Sequence, residues 1–292
     1  MVEEPQIEQL AGALAPAAPL GTGLRRNPVT LLGLILVGAL VLVALIAPWL
    51  ARYAPDATNP AAAALGPSPA HWFGTDQFGE DVLSRVIWGA RYDLSIAIGA
   101  VAVALTVGTS IGAVAGYWGG WLDEVVMRVM DIVLAFPSFV LAMGIAAALG
   151  VSFSHLIVAI AITNVPIYAN LMRARILSLR RSQYALAAVA AGNPPWRVLA
   201  RHLVPNCMGP IVVQATLQPG YAILTAAGLS FIGLGVRLPA PEWGLMVSMG
   251  VSRIVNGQWW ISFFPGLAIV LGVMGFNLIG DGLEEMLDPR SR

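Results

Sequence analysis

The chain contains no lysine: all sixteen basic residues are arginine, and sixteen acidic residues balance them to a formal net charge of zero. A P-loop needs its lysine on the nucleotide phosphates. This chain cannot supply one, so any ATP that drives it is bound by another subunit. Zero net charge offers no bulk attraction to nucleic acid. The single cysteine, Cys207, excludes an internal disulfide and reads as a small buried apolar residue. Histidine is nearly absent too. His71, His155 and His202 lie far apart, and none has metal-ligand spacing with Cys, Asp or Glu, so no metal is expected. No Ser/His/Asp set or carboxylate pair stands out, so no enzymatic activity is expected. Charged residues make up only 11 % of the 292, against about 25 % in a soluble domain.

What is present is apolar: 58 % of the residues are hydrophobic and the mean hydropathy is +0.76. These values describe a polytopic membrane protein. Six long uncharged runs appear, at 29–50, 94–117, 132–149, 156–171, 207–236 and 261–280. They are continuous rather than alternating, so they read as helices and not as barrel strands. The fold class is therefore an all-α membrane protein with six transmembrane helices. The fifth run is long for one crossing, and Pro219 is its expected bend point.

The N-terminal residues carry Glu3, Glu4 and Glu8 instead of a basic region, and the first apolar run is too long for a secretory signal. Arg25 and Arg26 read as a cytoplasmic anchor of an uncleaved span rather than as an export signal. Eleven arginines fall on one set of loops and five on the other. That bias places both termini in the cytoplasm. The expected parts are a cytoplasmic tail over 1–28, a first span over 29–50 and an extracytoplasmic linker with an amphipathic segment over 51–92. A five-helix core over 93–282, with a cytoplasmic loop at 182–205, and a cytoplasmic tail over 283–292 complete it. The Pro/Ala-rich residues 51–70 suit either a flexible linker or a docking surface.

The stretch AAGNPPWRVLARHLVPN at 190–206 breaks the apolar pattern. Gly192 fits the left-handed position that ends a helix, and Asn193 fits the N-cap of the next. Pro194 and Pro195 fall in the first turn of that helix, where a missing N–H costs nothing. Trp196, Leu199 and Leu203 share one helical face, Arg197 and Arg201 another, and Pro205 is expected to stop the helix. The residues alone leave two readings open: an interfacial helix lying on anionic lipid, or a docking knob for a cytoplasmic partner. Gln214, Gln218, Tyr221 and Thr225 form a second pattern, one polar stripe along the fifth run. Polar groups in a membrane face the bundle interior or an aqueous path, so the stripe lines a translocation path or bonds helices across an interface. Asn164 in the fourth run is a further path candidate. Arg128 and Asp131, three apart, are expected to pair.

QYALAAVAAGNPPWRVLARHLVPN resembles the coupling loop of ABC importer permeases. Ala187, Ala188, Gly192 and Pro205 match its pattern, while Leu186 stands where a glutamate is usual. FGTDQFGEDVLSRVIWGAR, GYWGGWLDEVVMRVMDIVLAFPSFVLA, LSFIGLGVRLPAPEWGLM and FPGLAIVLGVMGFNLIGDGLEEMLDPR resemble further segments of the dipeptide/oligopeptide/nickel group, in the same order. In the first, Glu80 replaces a usual arginine. The resemblance implies the second permease subunit of such an importer, with a type I ABC importer transmembrane domain. It implies pairing with another permease subunit, two ATPase subunits that bind ATP and Mg, and an extracytoplasmic binding protein. The chain itself would hold no cofactor. Residues 187, 188, 192, 196, 197, 199, 201 and 205 would carry the coupling. Peptides, nickel chelates, glutathione and opines all fit as cargo. The out-of-class alternative is a stand-alone secondary transporter or channel, against which no acidic residue sits mid-span.

Overall fold

Helices dominate because the apolar runs leave the backbone no other way to satisfy its own hydrogen bonds in lipid. The computed structural model describes residues 28–287. The expected tail over 1–28, save Pro28, and the last five residues lie outside that range. The main elements are α1 (Pro28–Leu50), α2 (Val82–Trp118), α3 (Gly120–Ala135), α4 (Ser138–Leu149), α5 (Phe153–Leu179), α6 (Gln183–Ala190), α7 (Pro195–Arg197), α8 (Val204–Phe231), α9 (Trp243–Val251) and α10 (Trp260–Leu287). Among the described residues only one isolated bridge, Thr75 to Asp81, is extended pairing.

Four helices are long and apolar enough to cross a membrane: α1, α2, α5 and α10. The expected third run is not one straight span. It breaks at Phe136–Pro137, and α3 and α4 meet there at 95°. Proline forces the residue before it out of the helical region, and Phe136 sits at φ −88°, ψ 142°. The fifth run forms α8, which keeps Pro210 and Pro219 inside one helix and ends at Phe231 rather than at 236. Gly233, at φ +84°, turns the chain away there. The amphipathic segment and the second span fuse into the single 37-residue α2.

Glycine sets how closely α2 meets α5. Gly108, Gly112 and Gly116 recur every four residues along α2. A Cβ at Gly112 would lie 2.1 Å from the Ala169 carbonyl oxygen, and one at Gly108 2.5 Å from that of Val165. Small residues at this spacing let two membrane helices approach backbone to backbone. The core then fills with Ile160, Tyr168, Met172 and Ile176 from α5, and with Ile96 and Ala104 from α2.

Segment 51–81 is an ordered cap, not a flexible linker. The Thr75 hydroxyl donates to the Ala62 carbonyl at 2.5 Å, and the Trp260 indole N–H donates to the Thr75 carbonyl at 3.0 Å. Phe73 stacks on Phe264 with centroids 3.8 Å apart. At its centre Arg85, on the first turn of α2, is wholly buried. Its Nη1 donates to the Pro55 carbonyl at 2.8 Å and to the Glu80 carboxylate. Its Nη2 reaches the Pro239 carbonyl at 3.3 Å. One guanidinium thus ties the start of the cap, its end and the loop before α9 to α2.

Glu80 is held near two charges of opposite effect. Burial pushes its carboxyl up, Asp76 adds to that, and Arg85 only partly offsets it, leaving the group at about 7 instead of 4.5. A raised carboxyl favours the folded state most below its unfolded value. That contribution is lost as pH climbs from about 4.5 to about 7. The apparent melting temperature of Glu80→Gln in detergent should therefore show a flatter pH profile over this window than the wild type. Identical profiles would show that Glu80 does not hold its proton.

Candidate functional site

A cavity of about 440 Å³ lies at the bend at Phe136–Pro137, between α3, α4, α5 and α8. Leu134, Phe136 and Ser138 come from either side of the bend. Thr163, Asn164 and Ile167 come from α5, and Gln218, Tyr221 and Thr225 from α8. Four of the five residues expected on a path, Asn164, Gln218, Tyr221 and Thr225, therefore meet in one place. Gln214 does not line the cavity. It lies one turn nearer the start of α8.

The lining is polar but uncharged: two amides, three aliphatic hydroxyls and a phenol, with apolar side chains between them. The Asn164 amide donates to the Ile160 carbonyl at 2.7 Å, and the Thr163 hydroxyl donates to the same oxygen at 2.8 Å. The Thr225 hydroxyl donates to the Tyr221 carbonyl at 2.8 Å. These bonds hold the side chains against their own helices and leave acceptor oxygens for a guest. The cavity is open on the side where Tyr221 is 56 % and Phe136 53 % exposed.

At one end of α8 sits the segment with the unusual composition. Gly192 adopts φ +80°, and the Gly192 and Asn193 N–H groups donate to the Val189 and Ala188 carbonyls at 2.9 and 3.3 Å. This is the expected left-handed stop. Asn193 is not the next N-cap. Its side-chain amide donates back to the Ala188 carbonyl at 2.9 Å, so it closes α6, and Pro194 occupies the cap position of α7.

Pro205 does not stop the helix either. Residues 198–203 form a wide helical turn that runs from α7 directly into α8, with the Val204 N–H donating to the Leu199 carbonyl five residues back. The wide turn takes up the register that the missing N–H of Pro205 would spoil. The Asn206 amide donates to the His202 carbonyl at 2.6 Å. Because the turn is wide, the face expected from a 3.6-residue period is split: Leu199 and Leu203 are buried, while Trp196 is 61 % exposed with Arg197 5.4 Å over its ring. Ala188 is also buried, and Ala187 and Arg201 are exposed.

The surface beside Trp196 holds residues that spacing alone did not single out. Tyr184, Leu186 and Val189 on α6 are all exposed, and Leu186 is the residue at the usual glutamate position. The ion pair at this end of the bundle is also a different one from that expected. Arg173 on α5 donates through Nε and Nη2 to the two Asp123 oxygens at 2.5 and 2.6 Å, in place of an Arg128–Asp131 pair. Arg180 donates to the Gly116 carbonyl at 3.1 Å and caps the end of α2. At the other end, the sequence boundary at 94 left out Asp93. It is fully buried and accepts from the Trp243 N–H at 3.1 Å.

A family model described as "binding-protein-dependent transport system inner membrane component" matches residues 108–292. The chain belongs to this family. A second model, the N-terminal transmembrane domain of oligopeptide transport permease C, matches residues 22–67 of this permease. The permease is 44 % identical to the dipeptide transport system permease protein DppC of Alkalihalophilus pseudofirmus, over 99 % of this chain and 94 % of that one. It is 40 % identical to the di/tripeptide transport system permease protein DppC of Pseudomonas aeruginosa, over 88 % and 87 %. It is 42 % identical to the glutathione transport system permease protein GsiD of Pectobacterium atrosepticum, over 77 % and 74 %. The permease is thus a multi-pass membrane component of a transport system. Its matched region takes in the bend, the cavity and the Gly192 segment.

Proposed function

We propose that this permease is one half of the translocation path of an ATP-driven importer for dipeptides or short peptides. In this reading it makes six crossings, with α3 and α4 together forming the third and α8 the fifth, and both termini face the cytoplasm. A second permease subunit completes the open side of the cavity. Two separate ATPase subunits bind ATP and Mg, and an extracytoplasmic binding protein delivers the cargo. The chain has no ATPase site of its own.

The single observation that carries the reading is the physical link between the cavity and the exposed surface at 184–196. One uninterrupted helical path runs from Pro195 to Phe231. At about 1.5 Å per residue, Gln218 lies roughly 20 Å beyond the start of α8, well inside a bilayer core of about 30 Å. A push on Trp196 and its neighbours therefore moves the wall that carries Gln218, Tyr221 and Thr225. Linkage requires such a contact, one that differs between the two states. The uncharged amide and hydroxyl lining suits peptide bonds, which need hydrogen-bond partners and no counter-ion. Glutathione, itself peptide-like, fits the same lining. Nothing in the cavity favours a nickel chelate or an opine.

Gln218→Leu combined with Asn164→Leu should lower dipeptide uptake at least tenfold, because the guest loses two hydrogen-bonding partners worth about 1 kcal/mol each. Uptake of labelled dipeptide, measured beside the yield of the assembled complex, checks this. Normal uptake with an intact complex would remove these residues from the path.

A further inference from the structure

A second, larger cavity of about 580 Å³ lies away from the path, where α1 and the start of α2 diverge. Its floor is apolar: Val43 and Leu50 from α1, Leu83 and Ile87 from α2. Its rim is not. Arg52, Tyr53 and Trp72 stand there, with Trp72 and Arg52 exposed. Leu42, Leu45 and Trp49 on the adjoining face of α1 are strongly exposed apolar residues. The cavity opens beside this stripe.

The depth and the chemistry of the walls match one class of guest. Val43 and Leu50 are seven residues apart, so the apolar part is roughly 10 Å deep along α1. It lies in the last turns of a membrane span, at the level of the upper part of an acyl chain. Directly above it, Arg52 offers a guanidinium that pairs with no carboxylate among the described residues. That guanidinium donates once, to the Pro69 carbonyl at 3.3 Å, and leans over the Tyr53 ring at 5.8 Å. Asp81, the one acidic residue on the lining, has both oxygens taken, one by the Ser84 N–H at 2.8 Å and one by His71 at 2.9 Å. Arginine is suited to phosphate oxygens, and tryptophan to the headgroup level.

We infer that this cavity is a binding site for a single phospholipid of the outer leaflet, one acyl chain lying between α1 and α2 and its phosphate on Arg52. The bound lipid fills the wedge that the two helices leave and fastens the cap to the first span. The site is independent of the path and of the surface at 184–196.

The test uses the protein isolated from its own membranes and reconstituted in vesicles of phosphatidylethanolamine and phosphatidylglycerol. The vesicles carry a trace of phospholipid with a photoactivatable group on the acyl chain. Wild type should be labelled, mapped residue by residue, on the cavity-lining Val43, Leu50, Leu83 and Ile87. Leu83→Trp, which fills the cavity, should lower that label about tenfold. Arg52→Gln, an exposed change that spares the fold, should lower it several-fold. Label on Leu42, Leu45 and Trp49 should stay as in the wild type in both variants. Equal labelling of all three proteins would mean ordinary annular lipid and would overturn the proposal. So would a cross-link from Leu83→Cys to a second protein subunit, which would place that subunit in the cavity.

Discussion

Arg85→Met should be among the most damaging single substitutions in this permease. The methionine fills much of the same volume, but it leaves Glu80 without its partner and the 55, 80 and 239 segments without their common donor. Breaking a buried ion pair by removing one member costs about 3–5 kcal/mol when the remaining charge stays uncompensated, and Glu80, already raised to about 7 beside Arg85, has to take up a proton to limit that cost. Arg85 also donates to carbonyls at 55 and 239, and a buried carbonyl that loses its donor adds to the penalty. In a protein of this size such a loss lowers the apparent melting temperature by on the order of 10 °C. The double variant Arg85→Met, Glu80→Gln should recover part of it, since no buried carboxyl is then left that has to be protonated. Thermal unfolding in detergent measures both. A single variant that melts within about 2 °C of wild type would show that Arg85 does not hold the cap.

The second large effect is expected at Gly112. Gly112→Leu places a Cβ 2.1 Å from a backbone oxygen of α5, and no rotamer relieves a clash made by the Cβ itself. The helices have to separate by more than an ångström, and Gly108 and Gly116 lose their close contacts with them. Overpacking a core costs about 1–3 kcal/mol where side chains can shift. Here the obstacle is backbone, so the loss should exceed that range and the variant should not accumulate as folded protein. Gly38→Leu is the control, because a Cβ there meets nothing within 4 Å. The yield of monodisperse protein in mild detergent separates the two. Equal yields would mean that α2 and α5 do not pack through the glycine ridge.

Neither of these positions drew attention in the sequence, and the reason is physical. A charged residue in a polar stretch reads as surface, and only the fold brings the 55, 80 and 239 segments around Arg85. The glycine ridge lies inside an apolar run, where hydropathy is blind to shape. Hydropathy also ignored Pro137, so the third run looked straight although the proline that bends it was in plain view. The helix stop at Gly192 was legible because it depends on a single residue's freedom at positive φ. The face of Trp196, Leu199 and Leu203 was not, because it assumed a 3.6-residue period that the wide turn before Pro205 breaks. The later turns of the polar stripe on α8, at Gln218, Tyr221 and Thr225, reach one cavity. Gln214, one turn earlier, lies outside that cavity. The cap at 51–81 gave no periodic signal at all, and its order comes from long-range hydrogen bonds to α2 and α10.

The central claim is that separate ATPase subunits drive this permease through the exposed surface of α6 and α7. Cys207 is fully buried, so a cysteine introduced at the exposed Leu186 offers a selective site for a short cross-linker. The measurement is to purify Leu186→Cys from its native membranes in mild detergent, cross-link it, and identify every chain attached at that residue. The account predicts a P-loop ATPase joined at position 186, in a yield that changes when ATP is added, together with a second permease subunit in the same complex. Recovery of the chain alone or as a homo-oligomer, with no ATPase at position 186 and transport intact in ATP-free liposomes, would contradict it.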